Sequence, residues 1–155
     1  MKKLTTVAPD SKWLRALRVK GFTARTKYIS EQANSLAKLK SKLLSMGGHA
    51  VILPKYEEDV NKIIFRGVLL RKYKMMKGEE CQCHRNSALL WEANKNKVDL
   101  CTGYALSFNG GIWRQHSWCV ERSTNMVVET TVGRIGYFGF KLNEKESDKF
   151  LYENE

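Results

Sequence analysis

Apolar residues recur at helical spacing in the first half of the chain and alternate with polar ones in the second. In the first half the spacing predicts a short amphipathic helix over residues 11–20 and a second helix from about residue 28 to Met46, which Gly47-Gly48 ends. Residues 49–53 form a short apolar run before Pro54, so we expect a buried strand there.

The sequence pattern assigns the secondary structure of the next two segments with different clarity. Residues 56–72 fit a helix and a strand about equally, because Gly67 weakens the helical pattern. A helix is predicted to begin near Cys83 and to end at the polar run 94–97.

The second half reads as short strands separated by turn residues. Strands are predicted over residues 99–108, 112–120, 126–131 and 135–142. Glycine-rich hairpins of this kind indicate an antiparallel sheet. The fold class is therefore α+β: N-terminal helices, a central helix that opens with a cysteine, and then an antiparallel sheet.

Length and charge refine this organisation. The 155 residues suit a single domain, 1–155, and the net charge is +11. Residues 1–80 hold 18 Lys and Arg against 7 Asp and Glu, whereas residues 81–155 hold 9 of each. We therefore divide the domain into a basic, mainly helical part (1–77), the cysteine helix with the sheet (78–142), and an acidic tail (143–155) that we expect to fray.

The compartment follows from what the sequence lacks. No apolar run is long enough to span a bilayer, and no signal-peptide core follows the Met-Lys-Lys start, so we expect a cytoplasmic protein without membrane contact. The four cysteines, at positions 81, 83, 101 and 119, are then expected to be free thiols.

Three polar residues occupy settings suited to catalysis. Cys83 lies at the predicted start of a helix, where the helix dipole favours a thiolate. His116 and Glu129 lie on strands 112–120 and 126–131, whose hairpin pairing brings them opposite one another or one register step apart. A carboxylate on one imidazole nitrogen and a thiol on the other would form a Cys-His-acid triad. Taken singly, each residue is better explained by packing, by a structural hydrogen bond or by solvent exposure, and the catalytic interpretation depends on the three occurring together in this order.

A helix that opens with cysteine, a strand with His116-Ser117-Trp118 and a strand with Glu129-Thr130 together resemble the papain-like and transglutaminase-like superfamily of cysteine enzymes. In its transglutaminase-type members the histidine strand reads His-x-Trp and the next strand reads Asp-x-Thr. The likeness covers about residues 78–140. Here the acid is Glu rather than Asp, and the residue after the cysteine is His rather than an aromatic residue.

The resemblance implies an acyl-transfer enzyme: a peptidase, amidase, deamidase or transglutaminase-like protein acting on a protein, peptide or small amide. Cys83 would be the nucleophile, His116 the general base and later acid, and Glu129 the residue that orients the imidazole. The backbone N–H of Cys83 would contribute to an oxyanion hole, with Gln82 or Asn86 as a side-chain donor. The substrate cleft would be lined by Trp113, Trp118 and Tyr104, although core packing explains Trp113 and Trp118 equally well.

The cysteines and histidines also allow other interpretations. Cys81, Cys83, His84, His116 and Cys119 supply enough ligands for a zinc site, but Cys-x-Cys is tighter than the usual spacing. We therefore expect no metal and no cofactor. Cys81 could instead pair with Cys83 or Cys119 in a redox switch.

A different function class follows from the basic first half. Its densest patch comprises Lys12, Arg15, Arg18, Lys20, Arg25 and Lys27. These residues could contact nucleic acid or an acidic protein, although no nucleic-acid motif accompanies them. The alternative to the enzyme is thus a non-enzymatic basic binding protein.

Overall fold

The structure is a computed structural model that describes residues 21–155, with side chains from residue 32 onward. Chain contacts divide the protein after Lys38, and the unit Leu39–Glu155 contains the whole sheet. The predicted helix over residues 11–20 lies outside the described residues, as does most of the basic patch. Arg25 and Lys27 fall in a described helix but before the described side chains.

Residues 21–155 form four helices and seven strands. The helices are α1 (Gly21–Ser45), α2 (Val60–Arg66), α3 (Cys83–Ala93) and α4 (Glu144–Asn154). The strands are β1 (Ala50–Val51), β2 (Val68–Leu70), β3 (Tyr73–Met75), β4 (Val98–Leu106), β5 (Ile112–Glu121), β6 (Met126–Glu129) and β7 (Gly136–Lys141). The α+β class is therefore confirmed.

The seven strands form one sheet in the order β2-β7-β4-β5-β6-β3, and β1 pairs with β5 outside that sequence. The central pairs β4–β5, β4–β7 and β5–β6 are antiparallel, as the hairpin pattern predicts. The expectation of a purely antiparallel sheet is wrong, because β1 runs parallel to β5 and β3 runs parallel to β6. Strands of two or three residues are too short to show a period in the sequence.

The ambiguous segment 56–72 contains both of the elements it resembles. Helix α2 ends at Arg66, Gly67 turns the chain, and β2 follows at once. A side chain at Gly67 would collide with the carbonyl oxygen of Ile63 and with the ring of Phe138. The glycine that weakens the helical pattern is thus the junction between two elements.

The acidic tail is ordered rather than frayed. Asn143 caps α4 by accepting from the backbone N–H of Glu146, and the Glu146 side chain accepts from the backbone N–H of Asn143, which makes a capping box. Leu151 is buried on this helix, and Glu146 forms ion pairs with Lys62 and Arg66 of α2. The prediction of fraying is wrong. It rests on the polarity of the tail, whereas the Asn143 cap and the buried side chains of Ser147 and Leu151 stabilise the helix.

Within residues 21–155, no helix has an apolar stretch of the length that crossing a bilayer requires.

Candidate active site

The site lies at a gap in the sheet along β5. On one side β5 pairs with β4 from Trp113 to Glu121. On the other side β1 covers only residues 112–113 and β6 covers only residues 119–121. Among the described strands, none pairs with residues 114–118 on that side. The backbone groups that face this side are therefore available to interact with other parts of the chain.

Helix α3 brings Cys83 to this gap. Cys83 is the first helical residue, so its backbone N–H has no acceptor within the helix. Cys83 is half-buried, and its thiol interacts with the side chain of His116 and with the backbone of Ser117. Because no described strand pairs with Ser117 on this side, its backbone is available to interact with the sulfur.

The loop before α3 is held firmly. The Asn86 side-chain nitrogen donates to the Glu79 carbonyl oxygen at 2.7 Å, and the Asn86 side-chain oxygen accepts from the Glu79 N–H at 3.3 Å. The Gly78 N–H donates to the Thr130 carbonyl oxygen at 2.7 Å, which ties the loop to the end of β6. Asn86, expected as a possible oxyanion donor, therefore anchors this loop through both of its amide atoms.

His116 and Glu129 form a buried pair. The Nε2 atom of His116 lies 2.8 Å from the Oε2 atom of Glu129, and the two side chains are 2% and 0% exposed. The last β5–β6 pair is Cys119 with Val128, so Glu129 directly follows the paired part of β6 and His116 lies three residues before Cys119 on β5. Because Nε2 faces the carboxylate, Nδ1 is the ring nitrogen left for Cys83.

Two residues that the sequence did not single out complete the surroundings of the carboxylate. Tyr137 donates its hydroxyl to Glu129 Oε2 at 2.8 Å, and Thr131 donates its N–H and its hydroxyl to Oε1, both at 2.9 Å. The sequence interpretation paired the acid with Thr130. Thr130 is instead buried, and its hydroxyl has no hydrogen-bond partner among the described residues. Thr131, at the third position of the Asp-x-Thr pattern, is the threonine that contacts the acid.

These contacts shift the pKa values of Cys83, His116 and Glu129. Burial by itself would raise the pKa of Cys83, but the bond to His116, the imidazolium charge and the Ser117 backbone hold that pKa below its ordinary value. Burial would lower the pKa of His116, but its bonds to Cys83 and Glu129 raise it. Burial likewise opposes ionisation of Glu129, yet His116 and the other donors keep its pKa low. The arrangement favours a thiolate, an imidazolium and a carboxylate in a row.

A second histidine is held apart from this row. His84 Nδ1 lies 2.6 Å from the Ser117 hydroxyl, which lies 2.9 Å from the Thr102 hydroxyl. Burial and the neighbouring charge of His116 lower the pKa of His84. Within the described part of the chain, no group of three or more His, Cys, Asp or Glu side chains is arranged to hold a metal ion. His84 packs on the edge of the Phe150 ring of α4, which indicates a structural position.

Cys83 and His116 open into a cleft of about 370 Å³, whereas Glu129 lies buried behind them. The cleft is lined by Lys77, Glu80, Cys81, Cys83, Arg114, Gln115, His116, Thr131, Val132 and Arg134. Gln82 is exposed and is not among the lining residues. The Gln115 side chain donates to Glu57 Oε2 at 2.6 Å, and Glu57 is a buried acid that the sequence interpretation also missed.

The three aromatic residues expected in the cleft lie in the core instead. Tyr104 is fully buried and donates its hydroxyl to Glu57, whereas Trp113 is fully buried and donates its indole N–H to the Gly47 carbonyl oxygen. Trp118 is 1% exposed and stacks beside the His116 ring. Of the two interpretations of these residues, the structure favours packing.

The four cysteines are free and occupy two kinds of environment. Cys81 is exposed in the cleft wall and has a left-handed backbone, with a φ of 58°. Cys101 and Cys119 are buried in the sheet, where burial raises the pKa of Cys101 to about 12 and raises that of Cys119 as well.

Comparison of the chain with protein-family models, with curated proteins and with solved structures found no match.

Proposed function

We propose that this protein is a cysteine-dependent acyl-transfer enzyme whose triad is Cys83, His116 and Glu129. The observation that supports it most is the order of three side chains: a thiol, an imidazole and a carboxylate. The Cys83 thiol interacts with His116, whose Nε2 atom lies 2.8 Å from a fully buried carboxylate, and Cys83 and His116 both line a cleft. A nucleophile, a base in contact with it and a group that orients the base are the parts this chemistry requires.

In the first half of the reaction, the Cys83 thiolate attacks the carbonyl carbon of an amide or thioester. The new C–S bond forms as the π electrons of the carbonyl move onto its oxygen. That oxygen is stabilised by the Cys83 backbone N–H and by the positive end of the α3 dipole. The His116 imidazolium then gives its Nδ1 proton to the departing amine or thiol, the bond to the leaving group breaks, and a thioester remains on Cys83.

In the second half, water or an amine attacks that thioester. Neutral His116 accepts the proton of the attacking group at Nδ1, the C–S bond breaks, and the thiolate is restored. Glu129 stabilises the imidazolium in both halves through the 2.8 Å bond to Nε2. Tyr137 and Thr131 keep the carboxylate in place because they occupy its remaining acceptor positions.

The resemblance to papain-like and transglutaminase-like enzymes supports the same reaction class. Peptidase, amidase, deamidase and transglutaminase-like activities share these steps and differ in the leaving group and in the acceptor. A reducing compartment such as the cytoplasm suits the proposal, because all four thiols are free and the nucleophile must stay reduced.

The test is to trap the acyl-enzyme. The full chain is mixed with 4-nitrophenyl acetate, nitrophenol release is followed, and intact-mass and peptide mapping locate the acetyl group. We expect one burst equivalent and an acetyl group on Cys83.

Two variants make the test decisive. Cys83→Ala should abolish the burst with an unchanged circular dichroism spectrum, whereas Cys101→Ala, in a buried thiol of the same chain, should retain it. Acetylation spread over several side chains, or a burst that survives in Cys83→Ala, would overturn the proposal.

A further inference from the structure

Positive charge from three separate segments converges on the cleft. Lys77 comes from the loop between β3 and α3, Arg114 from β5, and Arg134 from the loop between β6 and β7. The opposing charge in the lining is Glu80, which lies 3.8 Å from Lys77 with both side chains largely exposed. An exposed ion pair at this distance contributes little, so Glu80 does not neutralise the positive charge of the cleft.

Arg114 is the most informative of the three cations. It precedes His116 by two residues on β5, so both side chains project from the same face of the sheet, with α-carbons roughly 7 Å apart. Its side chain is exposed, and its guanidinium forms no ion pair or hydrogen bond with the described residues. An unpaired arginine at the mouth of a site adds nothing to the fold that we can identify.

Arg134 is held in place but is not neutralised. Its Nε–H donates to the Val132 carbonyl oxygen at 2.9 Å, and its two terminal nitrogens form no hydrogen bond within the described residues. Its side chain is half-buried. A guanidinium fixed through Nε presents its other donors in a defined direction, and that geometry suits a carboxylate.

None of the three cations is among the main influences on the pKa of Cys83. Those influences are its burial, His116, the Ser117 backbone and Glu129. The positive charge around the cleft is therefore available to a bound molecule.

We propose that Arg114, Arg134 and Lys77 select an acyl substrate that carries a carboxylate close to the scissile carbonyl. Because Arg114 lies roughly 7 Å along the strand from His116, the carboxylate belongs one or two residues from the bond that is cleaved. An acidic side chain and a free chain terminus both supply this group. The inference rests on the proposed acyl transfer at Cys83.

The test compares two acyl probes that differ in charge. 4-Nitrophenyl butyrate is neutral, and the 4-nitrophenyl monoester of glutaric acid carries a carboxylate at the far end of its acyl chain. Acylation of Cys83 by each probe is measured against the Cys83→Ala protein, which corrects for spontaneous hydrolysis. We expect the anionic probe to react about tenfold faster, and the preference to weaken as salt is added.

The variants separate local recognition from net charge. Arg114→Gln should lower the rate with the anionic probe about tenfold and leave the rate with the neutral probe nearly unchanged, and Arg114→Glu should reverse the preference. Arg122→Gln makes the same change of charge on the surface, outside the cleft lining, and should keep the wild-type preference.

Competition then identifies the source of the carboxylate. A blocked Gly-Glu-Gly amide that slows acylation indicates an acidic side chain, and acetyl-Gly-Gly-Gly with a free terminus indicates a terminal carboxylate. Equal inhibition by the neutral acetyl-Gly-Gly-Gly amide would count against the proposal, as would equal acylation of Cys83 by both probes. Failure of both probes to acylate Cys83 would instead remove the proposed function on which the inference rests.

Discussion

Cys83 lies half-buried at the first turn of α3 beside a cleft, whereas Cys101 and Cys119 lie buried on the central strands β4 and β5. Cys83 contacts His116 and a backbone donor, and its pKa falls. Cys119 is a donor itself, to the Ser87 carbonyl oxygen at 3.3 Å, and burial raises its pKa.

The difference shows what decides the chemistry of a thiol. All three side chains lose water, which by itself favours the neutral form. Only Cys83 receives hydrogen bonds that favour the anion, because it is placed at the gap in β5 where His116 and the Ser117 backbone are available. Burial without such donors keeps a cysteine thiol neutral in the core, whereas burial with them lowers the pKa of the thiol.

The largest expected effect is the difference in alkylation rate between Cys83 and the two buried cysteines. In the native protein at neutral pH, iodoacetamide should label Cys83 about 10³-fold faster than Cys101 and Cys119, since those two react only when the sheet opens. Quenched labelling followed by peptide mapping measures each rate. In concentrated guanidinium chloride the contrast should collapse; similar native rates at all three thiols would contradict it.

Loss of the buried carboxylate should have the next largest effect. Glu129→Gln removes the charge that stabilises the His116 imidazolium, so acylation of Cys83 should slow by about 10²–10⁴-fold. Stopped-flow release of nitrophenol measures the rate, with circular dichroism as the check on folding. Tyr137→Phe removes one donor to the same carboxylate and should slow acylation by only about tenfold; equal effects of the two variants would argue against an orienting acid.

The pH dependence of alkylation tests the coupled pair. Because the pKa of Cys83 is lowered, its alkylation should persist at a pH where free N-acetylcysteine, measured under the same conditions, has become unreactive. The raised pKa of His116 means that the imidazolium stabilises the fold below the unfolded-state pKa of histidine, and this contribution is lost as the pH rises through the folded pKa. Cys83→Ala removes one cause of that raised pKa, so NMR titration should find His116 losing its proton at a lower pH. An unchanged His116 titration would contradict the contact.

The smallest effect concerns the loop that presents Cys83. Asn86→Ala removes both bonds to Glu79, and it should cost about 1 kcal/mol of the free energy of unfolding and slow acylation a few-fold. Asn154→Ala removes a similar bond, to the Phe150 carbonyl oxygen on α4, and should leave acylation unchanged. Urea unfolding and the burst rate measure the two quantities, and equal acylation rates in both variants would show that the anchor does not position the nucleophile.

The sequence predicted the elements around the site more closely than the site itself. The helix that begins at Cys83 and the hairpin strands β4, β5 and β6 follow the predicted pattern within one or two residues, because caps, turns and alternation are local signals. Strand β3 was not predicted, because its pairing with β6 joins segments that are more than fifty residues apart. Tyr137 was not singled out, because nothing in its own stretch of sequence indicates that Glu129 is its partner.

By itself the sequence determined the α+β class, the uneven charge, and the placing of Cys83, His116 and Glu129 on a helix start and two adjacent strands. Four features are visible only in the tertiary structure. One side of β5 is left unpaired at residues 114–118 among the described strands, and Thr131 rather than Thr130 contacts Glu129. Three aromatic residues expected in the cleft are buried in the core, and three cations line the cleft. The physical reason is the range of the interactions involved. Hydrophobic period and capping act over a few residues, whereas burial, hydrogen-bond partners and pKa depend on groups that the chain brings together from far apart.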